Sequence, residues 1–86
     1  MPTEARDVHG TLIRLSHDGL VYGQRFVPLD DVAGVRPDSF SLWNPGTNLF
    51  EVAVVRRSGP DLVVKDLALQ TADQLRAAII DALRER

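Results

Sequence analysis

The sequence predicts a mainly β domain with a single helix: a small antiparallel barrel or sandwich of six or seven short strands, closed by one C-terminal amphipathic helix. Three observations carry this prediction. Short apolar runs with alternating character recur from Val8 to Leu69. Turn-forming clusters of Gly, Pro, Asn, Asp and Ser separate them at tight spacing, the pattern of a small all-β unit. Only the last sixteen residues, from Thr71 to Arg86, show apolar positions at helical spacing.

The chain of 86 residues is long enough for one domain and one modest core. Residues 1–7 are polar, with Pro2 and mixed charge, and are expected to be a flexible lead-in to a single domain over residues 8–86. Val8 to Leu15 reads as a first strand, with Thr11, Ile13 and Leu15 on one face and Leu12 and Arg14 on the other. Ser16, His17, Asp18 and Gly19 form a turn cluster, which predicts a hairpin into a second strand at Leu20 to Tyr22. Gly23 and Gln24 offer a bend, after which Arg25 to Leu29 continues as β. Pro28 cannot donate to a ladder, so it marks an edge strand or a strand end.

Residues 30–36 admit two readings. Asp30 can cap a single helical turn, or Val32 and Val35 can belong to a short strand. Pro37 ends either one, because the residue before a proline is pushed out of the helical region. Phe40, Leu42 and Trp43 follow, then the strongly turn-forming stretch Asn44 to Asn48. Leu49 to Arg57 is the clearest strand, with Phe50, Val52 and Val54 on one face. A turn at Ser58 to Asp61 leads into Leu62 to Leu69, where Asp66 breaks the alternation.

For the helix, Thr71 is the expected N-cap, and Gln74 completes a Thr-x-x-Gln capping box. Asp73 and the pair Arg84 and Arg86 complement the two ends of the helix dipole. Leu75, Ala78, Ile79, Ala82 and Leu83 form one apolar stripe. Ile80 lies off its centre and either widens the buried stripe or is left for a partner. A helix of this length is marginal alone in water, so it is expected to dock on the strands and plug one open end of the barrel.

Three passages, taken in order, resemble a pleckstrin-homology-like (PH-like) domain of the small kind found in bacterial proteins. They are the hairpin LIRLSHDGLVY, the passage RFVPLDDVAGVRP, and the strand pair LFEVAVVRR and DLVVKDL running into the capped helix. The resemblance covers about residues 8–84. It implies a bent, seven-stranded antiparallel barrel with a C-terminal helix at one corner. The chain departs from the eukaryotic form in being short and in carrying Trp43 ahead of the sixth strand, with no aromatic in its helix. No family-specific function therefore comes with the resemblance.

Composition narrows the function classes. The net charge of −2 gives no bulk attraction to nucleic acid or to an anionic membrane surface. The absence of cysteine removes disulfides, thiolate metal sites and Cys nucleophiles. The N-terminus has no apolar signal-peptide core, and the longest unbroken apolar run, Val52 to Val55, is far too short for a membrane span. A cytoplasmic location is the expectation.

The side chains that can carry chemistry are sparse. Ser16, His17 and Asp18 are adjacent in a turn and cannot stack as nucleophile, base and orienter. His9 and His17 lack further ligands at metal-binding spacing. Asp30 and Asp31, being neighbours, diverge and suit capping or solvation better than acid–base work. There is no glycine-rich phosphate loop. No enzyme activity, cofactor or metal is expected.

The favoured function is a non-catalytic protein-interaction or self-association module, with a homodimer among the candidates. Phe40, Leu42, Trp43 and Ile80 are the candidate partner-binding residues, since a Trp beside a loop is a frequent interface anchor; the three aromatic and aliphatic residues before the turn equally suit a core. Two alternatives are carried. One is peripheral binding to anionic lipid, with Arg14, Arg25, Arg56 and Arg57 as candidate anion-binding residues. The other is a small-barrel nucleic-acid binder, for which only Tyr22, Arg25 and Phe26 interleave charge with aromatic character.

Overall fold

The computed structural model describes residues 3–36, 39–40 and 48–85, with residues 39–40 described by their backbone alone. Leu42, Trp43 and the Asn44–Thr47 part of the expected turn lie outside the described residues. The strands divide into two antiparallel sheets. The first is a meander of β1 (Thr3–Arg6), β2 (Leu12–Ser16), β3 (Gly19–Tyr22) and β4 (Arg25–Pro28), in that spatial order. The second is built on β7 (Phe50–Arg56). Leu62–Leu67, β8, pairs with one edge of β7, while β5 (Val32–Val35) and β6 (Ser39–Phe40) pair with the other. Val54 pairs with both Val35 and Leu62, and Phe50 with both Phe40 and Leu67. The two short pieces therefore share one edge of β7, and this sheet is three strands wide. The helix α1 (Leu69–Arg84) follows β8 and packs against β1, β2, β5 and β7, so it spans both sheets.

Residues 3–7 are not the flexible lead-in expected from their polarity. Thr3 to Arg6 pair with Leu15 to Leu12, so the chain's first strand ends at Arg6 and the expected strand from Val8 is broken into a turn followed by β2. The cause lies in Asp7, a residue only 9% exposed. Its carboxylate accepts hydrogen bonds from the backbone N–H groups of His9 and Thr11, both at 2.9 Å. An Asp side chain folding back on the next few amides is a local turn former, and it outweighs the strand preference of Val8.

The remaining hairpins follow their turn residues. Ser16 pairs with Gly19 across the two-residue turn His17–Asp18, and Tyr22 pairs with Arg25 across Gly23–Gln24. Gly23 has φ 62°, a conformation that glycine adopts without a steric penalty. Pro28 ends β4, the outer strand of the first sheet, as its missing donor requires. Both readings of residues 30–36 hold in part: Leu29–Asp31 is one 3-10 turn, and Val32–Val35 is a strand. Among the described residues no side-chain hydrogen bond caps that turn.

Asp66 breaks the strand pattern as expected, and the register shows how. Val52 pairs with Val64 and Phe50 with Leu67, so Lys65 and Asp66 together face Glu51. The extra residue is a β-bulge, and Asp66 takes φ 58°, a left-handed conformation that Asp tolerates better than most residues. The bulge re-aims Leu67 into the core and turns the chain toward the helix. As a result α1 begins at Leu69, two residues ahead of the expected cap. Ala68 is the N-cap and makes no side-chain cap bond, while Thr71 sits within the first turn. Here the end of β8, anchored by fully buried Leu67, sets the helix start and outweighs the capping-box pattern.

One core unites the three layers. Ile13, Leu15, Leu20 and Val27 come from the first sheet, and Val32, Val52, Val54, Leu62, Val64 and Leu67 from the second. Ala72, Leu75 and Ile79 come from the helix. The inward set in each sheet alternates with outward residues, and in the helix it recurs at three- and four-residue steps, as the pleat and the helical period demand. Ala78, Ala82 and Leu83 flank the buried stripe. Among the described residues no strand ladder joins one sheet to the other.

Candidate functional site

Among the described residues, those singled out in the sequence are dispersed by the fold. Phe40 pairs with Phe50 along β7. Ile80 lies off the buried stripe and is 37% exposed, so it is left to solvent rather than widening the core contact. Arg14 pairs with Val21 and Glu4, and Arg25 with Tyr22, which stands opposite Ile13. By alternation Arg14 therefore points to the outer face of the first sheet and Arg25 leaves from the other. Arg14 lies 3.5 Å from Glu4. Arg56 and Arg57 are consecutive at the end of β7 and diverge.

Arg56 is already occupied. Its Nε donates to Asp31 Oδ2 at 2.9 Å, and the Ser58 N–H donates to Asp31 Oδ1 at 2.9 Å. Hydrogen bonds from Ser58 and Arg56 hold the Asp31 carboxyl below its ordinary value of 3.8. Beside it, Arg36 Nε donates to Asp61 Oδ2 at 2.6 Å. These two ion pairs tie the β7–β8 turn to the strand and 3-10 turn next to it.

A second polar cluster joins the sheets at the opposite end of β8. Val8 N–H donates to the Asp66 carbonyl at 3.0 Å, and His9 Nε2 lies 3.0 Å from Asp66 Oδ2. Burial raises the Tyr22 phenol above its ordinary value, and the Asp7 and Asp66 carboxylates add to that shift, while a hydrogen bond with the Lys65 backbone opposes it. Tyr22 on β3 thus reaches both Asp7 and β8. Among the described residues no group of three or more His, Asp or Glu side chains is placed to hold a metal ion.

Two surfaces stand out by their geometry and composition. The first is the outer face of the first sheet, where Glu4, Arg14, Val21 and Phe26 stand in one cross-sheet row. Phe26, on the outer strand β4, is 55% exposed. Part of its placement is structural: a Cβ at Gly19 would come 3.0 Å from Phe26 Cε1, so the ring covers the glycine backbone. The rest of the ring, with half-buried Val21 beside it, faces solvent. Sequence reasoning passed over Phe26 as a partner residue. The signal was present in the period of two, since an inward Val27 forces Phe26 outward.

The second surface is a groove of about 420 Å³ between the C-terminal half of α1 and the β2–β3 hairpin. Buried Leu15 and Leu29 and half-buried Ala78 and Ala82 form its floor. Exposed Asp81 and Glu85 stand at its rim, with His17 opposite. A smaller depression shares Leu29 and His17 and continues past Asp18 and Asp30.

The class that the fold defines is a small mainly-β domain of two antiparallel sheets and a C-terminal helix. Comparison with protein-family models, with curated proteins and with solved structures returns no match. Among the described residues no helix is long and apolar enough to cross a membrane.

Proposed function

We propose that this chain is a non-catalytic interaction module on a PH-like frame, which associates with a second copy or a protein partner through the outer face of its first sheet. The observation that carries the reading is Phe26, more than half exposed on an outer strand of that sheet. A solvated sheet face normally alternates to polar residues. Here its β3–β4 half carries Val21 and Phe26, and its β1–β2 half carries Glu4 and Arg14, a mixture of apolar anchor and paired charge suited to a specific contact.

The PH-like reading draws support from strand order. A four-stranded meander is followed by a sheet three strands wide, and then by a terminal helix packed on both. A barrel closed at its corners is part of this proposal. Phe40, Leu42, Trp43 and Ile80 stay in it as a further partner-binding set. Of the four arginines, only Arg25 and Arg57 have no ion-pair partner among the described residues, so the anionic-lipid alternative rests on two cations, one on β4 and one just after β7, and is the weaker reading. The nucleic-acid alternative is weaker still, for the same lack of convergent positive charge.

The test is light scattering behind size-exclusion chromatography across a concentration range, together with affinity capture, on the wild-type chain, Phe26→Ser and Trp43→Ala. The expected result is association or capture that Phe26→Ser abolishes while the fold is kept. A wild-type chain that stays strictly monomeric and captures nothing refutes the module, and association unchanged by Phe26→Ser refutes the assigned face.

A further inference from the structure

We infer that the groove between α1 and the β2–β3 hairpin is a docking site for a short segment of a partner protein that pairs an apolar side chain with a Lys or Arg. This site is separate from the Phe26 face and does not depend on it.

The shape and the charge of the groove make the case together. Its volume of about 420 Å³ falls in the range of ligand-sized clefts, roughly 300–1,000 Å³. Part of its lining is apolar, with Leu15 and Leu29 on the strand side and Ala78 and Ala82 on the helix side, and Thr3 and Ser16 line it as well. Alanine at both helix positions keeps the cleft open. A longer side chain there would fill it and extend the core.

Among the described residues the charged side chains at the rim, Asp81 and Glu85, have one sign. Asp81 and Glu85 are four residues apart on α1, so they project over the same edge. Neither has an ion-pair partner among the described residues. Among the described residues no Lys or Arg lines the groove, and the adjoining depression adds Asp18 and Asp30. Like charges at this spacing repel, and both sit near the negative end of the helix dipole, where acidic groups are disfavoured. Arg84 offsets part of this from the same turn but does not line the groove. An arrangement that works against its own helix is relieved by a cation brought from outside. A Lys or Arg side chain suits both halves of the site, since its methylene stem lies on apolar surface while its head reaches the carboxylates. A neighbouring apolar residue would occupy the floor at Leu15 and Leu29. An acidic segment would be repelled.

The experiment is an amide chemical-shift titration of the full chain with short peptides pairing leucine with arginine, leucine with glutamate and leucine with serine. The arginine peptide should move the amides of Ser16, His17, Leu29 and residues 78–85, with an affinity that falls as salt is added. The glutamate peptide should not bind. The double variant Asp81→Asn, Glu85→Gln should stay folded and bind the arginine peptide about tenfold more weakly, the scale expected for losing two exposed charge pairs. Four outcomes overturn the inference: no shift at millimolar peptide, equal binding of the serine peptide, unchanged binding by the double variant, or shifts confined to β4 around Phe26. Movement of the groove amides on dilution of the protein alone would assign the site to a second copy and would also overturn it.

Discussion

Replacing Leu75 with alanine tests whether the helix closes the two sheets over one core. Leu75 is 2% exposed and belongs to the cluster that joins both sheets to α1. The substitution removes three carbon groups from a site with no access to water. At about 0.8 kcal/mol per buried methylene, the transfer loss alone is about 2.4 kcal/mol. The cavity left behind raises the total to about 3–5 kcal/mol, because a packed interior relaxes only in part. A domain of 86 residues has a total stability of roughly 4–13 kcal/mol at 0.05–0.15 kcal/mol per residue. The loss is therefore a large share of the whole, and Tm should fall by well over 10 °C at roughly 4–8 °C per kcal/mol. Urea denaturation followed by far-ultraviolet circular dichroism measures it. The expected result is a lower midpoint with an unchanged slope. Leu75→Asp should go further and leave the chain unfolded, since its charge has no partner in the core. Ile80→Ala, at a position 37% exposed, is the internal control and should cost much less. A Leu75→Ala loss below about 1 kcal/mol, the ordinary range of a surface site, would refute the closing role of the helix.

Three further outcomes are expected. At Gly19, where φ is 155°, an added Cβ would overlap the Val27 carbonyl oxygen and approach Pro28 Cα to 2.9 Å; Gly19→Ala should force β3 from β4 and cost about 1–3 kcal/mol, read as a shift in the urea midpoint. Asp31 has a folded-state pKa below its ordinary 3.8, so its contribution is complete above that value and is lost as pH falls through the folded value. Stability should therefore drop on acidification below about pH 4, and Asp31→Asn should flatten that limb in urea titrations run at successive pH values; an unchanged acid limb would remove the assigned role. Asp66, at φ 58° in the bulge of β8, should accept Gly with little loss, whereas Asp66→Val should cost about 1–3 kcal/mol because a branched side chain is strained there; equal stability of the two variants would contradict the bulge.

Much of the frame was legible in the chain itself. The period of two in β7, with Val52 and Val54 inward, and the helical spacing of Leu75 and Ile79 are local patterns, and burial follows directly from them. The hairpin turns at His17–Asp18 and Gly23–Gln24 are equally local, because Asp18, Gly19 and Gly23 are turn-forming residues. Arg56 illustrates what was not legible. In the sequence it is one cation among several; in the fold it meets Asp31, twenty-five residues away, and is spent on holding a turn. The same holds for Asp7, which polarity assigned to a loose terminus and which the structure buries under the amides of His9 and Thr11.

By itself the sequence determined the elements: short strands, tight turns, one amphipathic helix, and which side of each would be apolar. These depend on side-chain period and backbone preference, which act over a few residues. Only the tertiary structure decided where the helix starts, which charges are neutralised, and where a groove opens between helix and hairpin. The helix begins at Leu69 because the Asp66 bulge delivers buried Leu67 to the core just before it. The Leu15–Leu29 groove opens against Ala78 and Ala82 because segments distant in sequence meet there. Contacts of that kind depend on how whole sheets and the helix pack, and no local pattern encodes them.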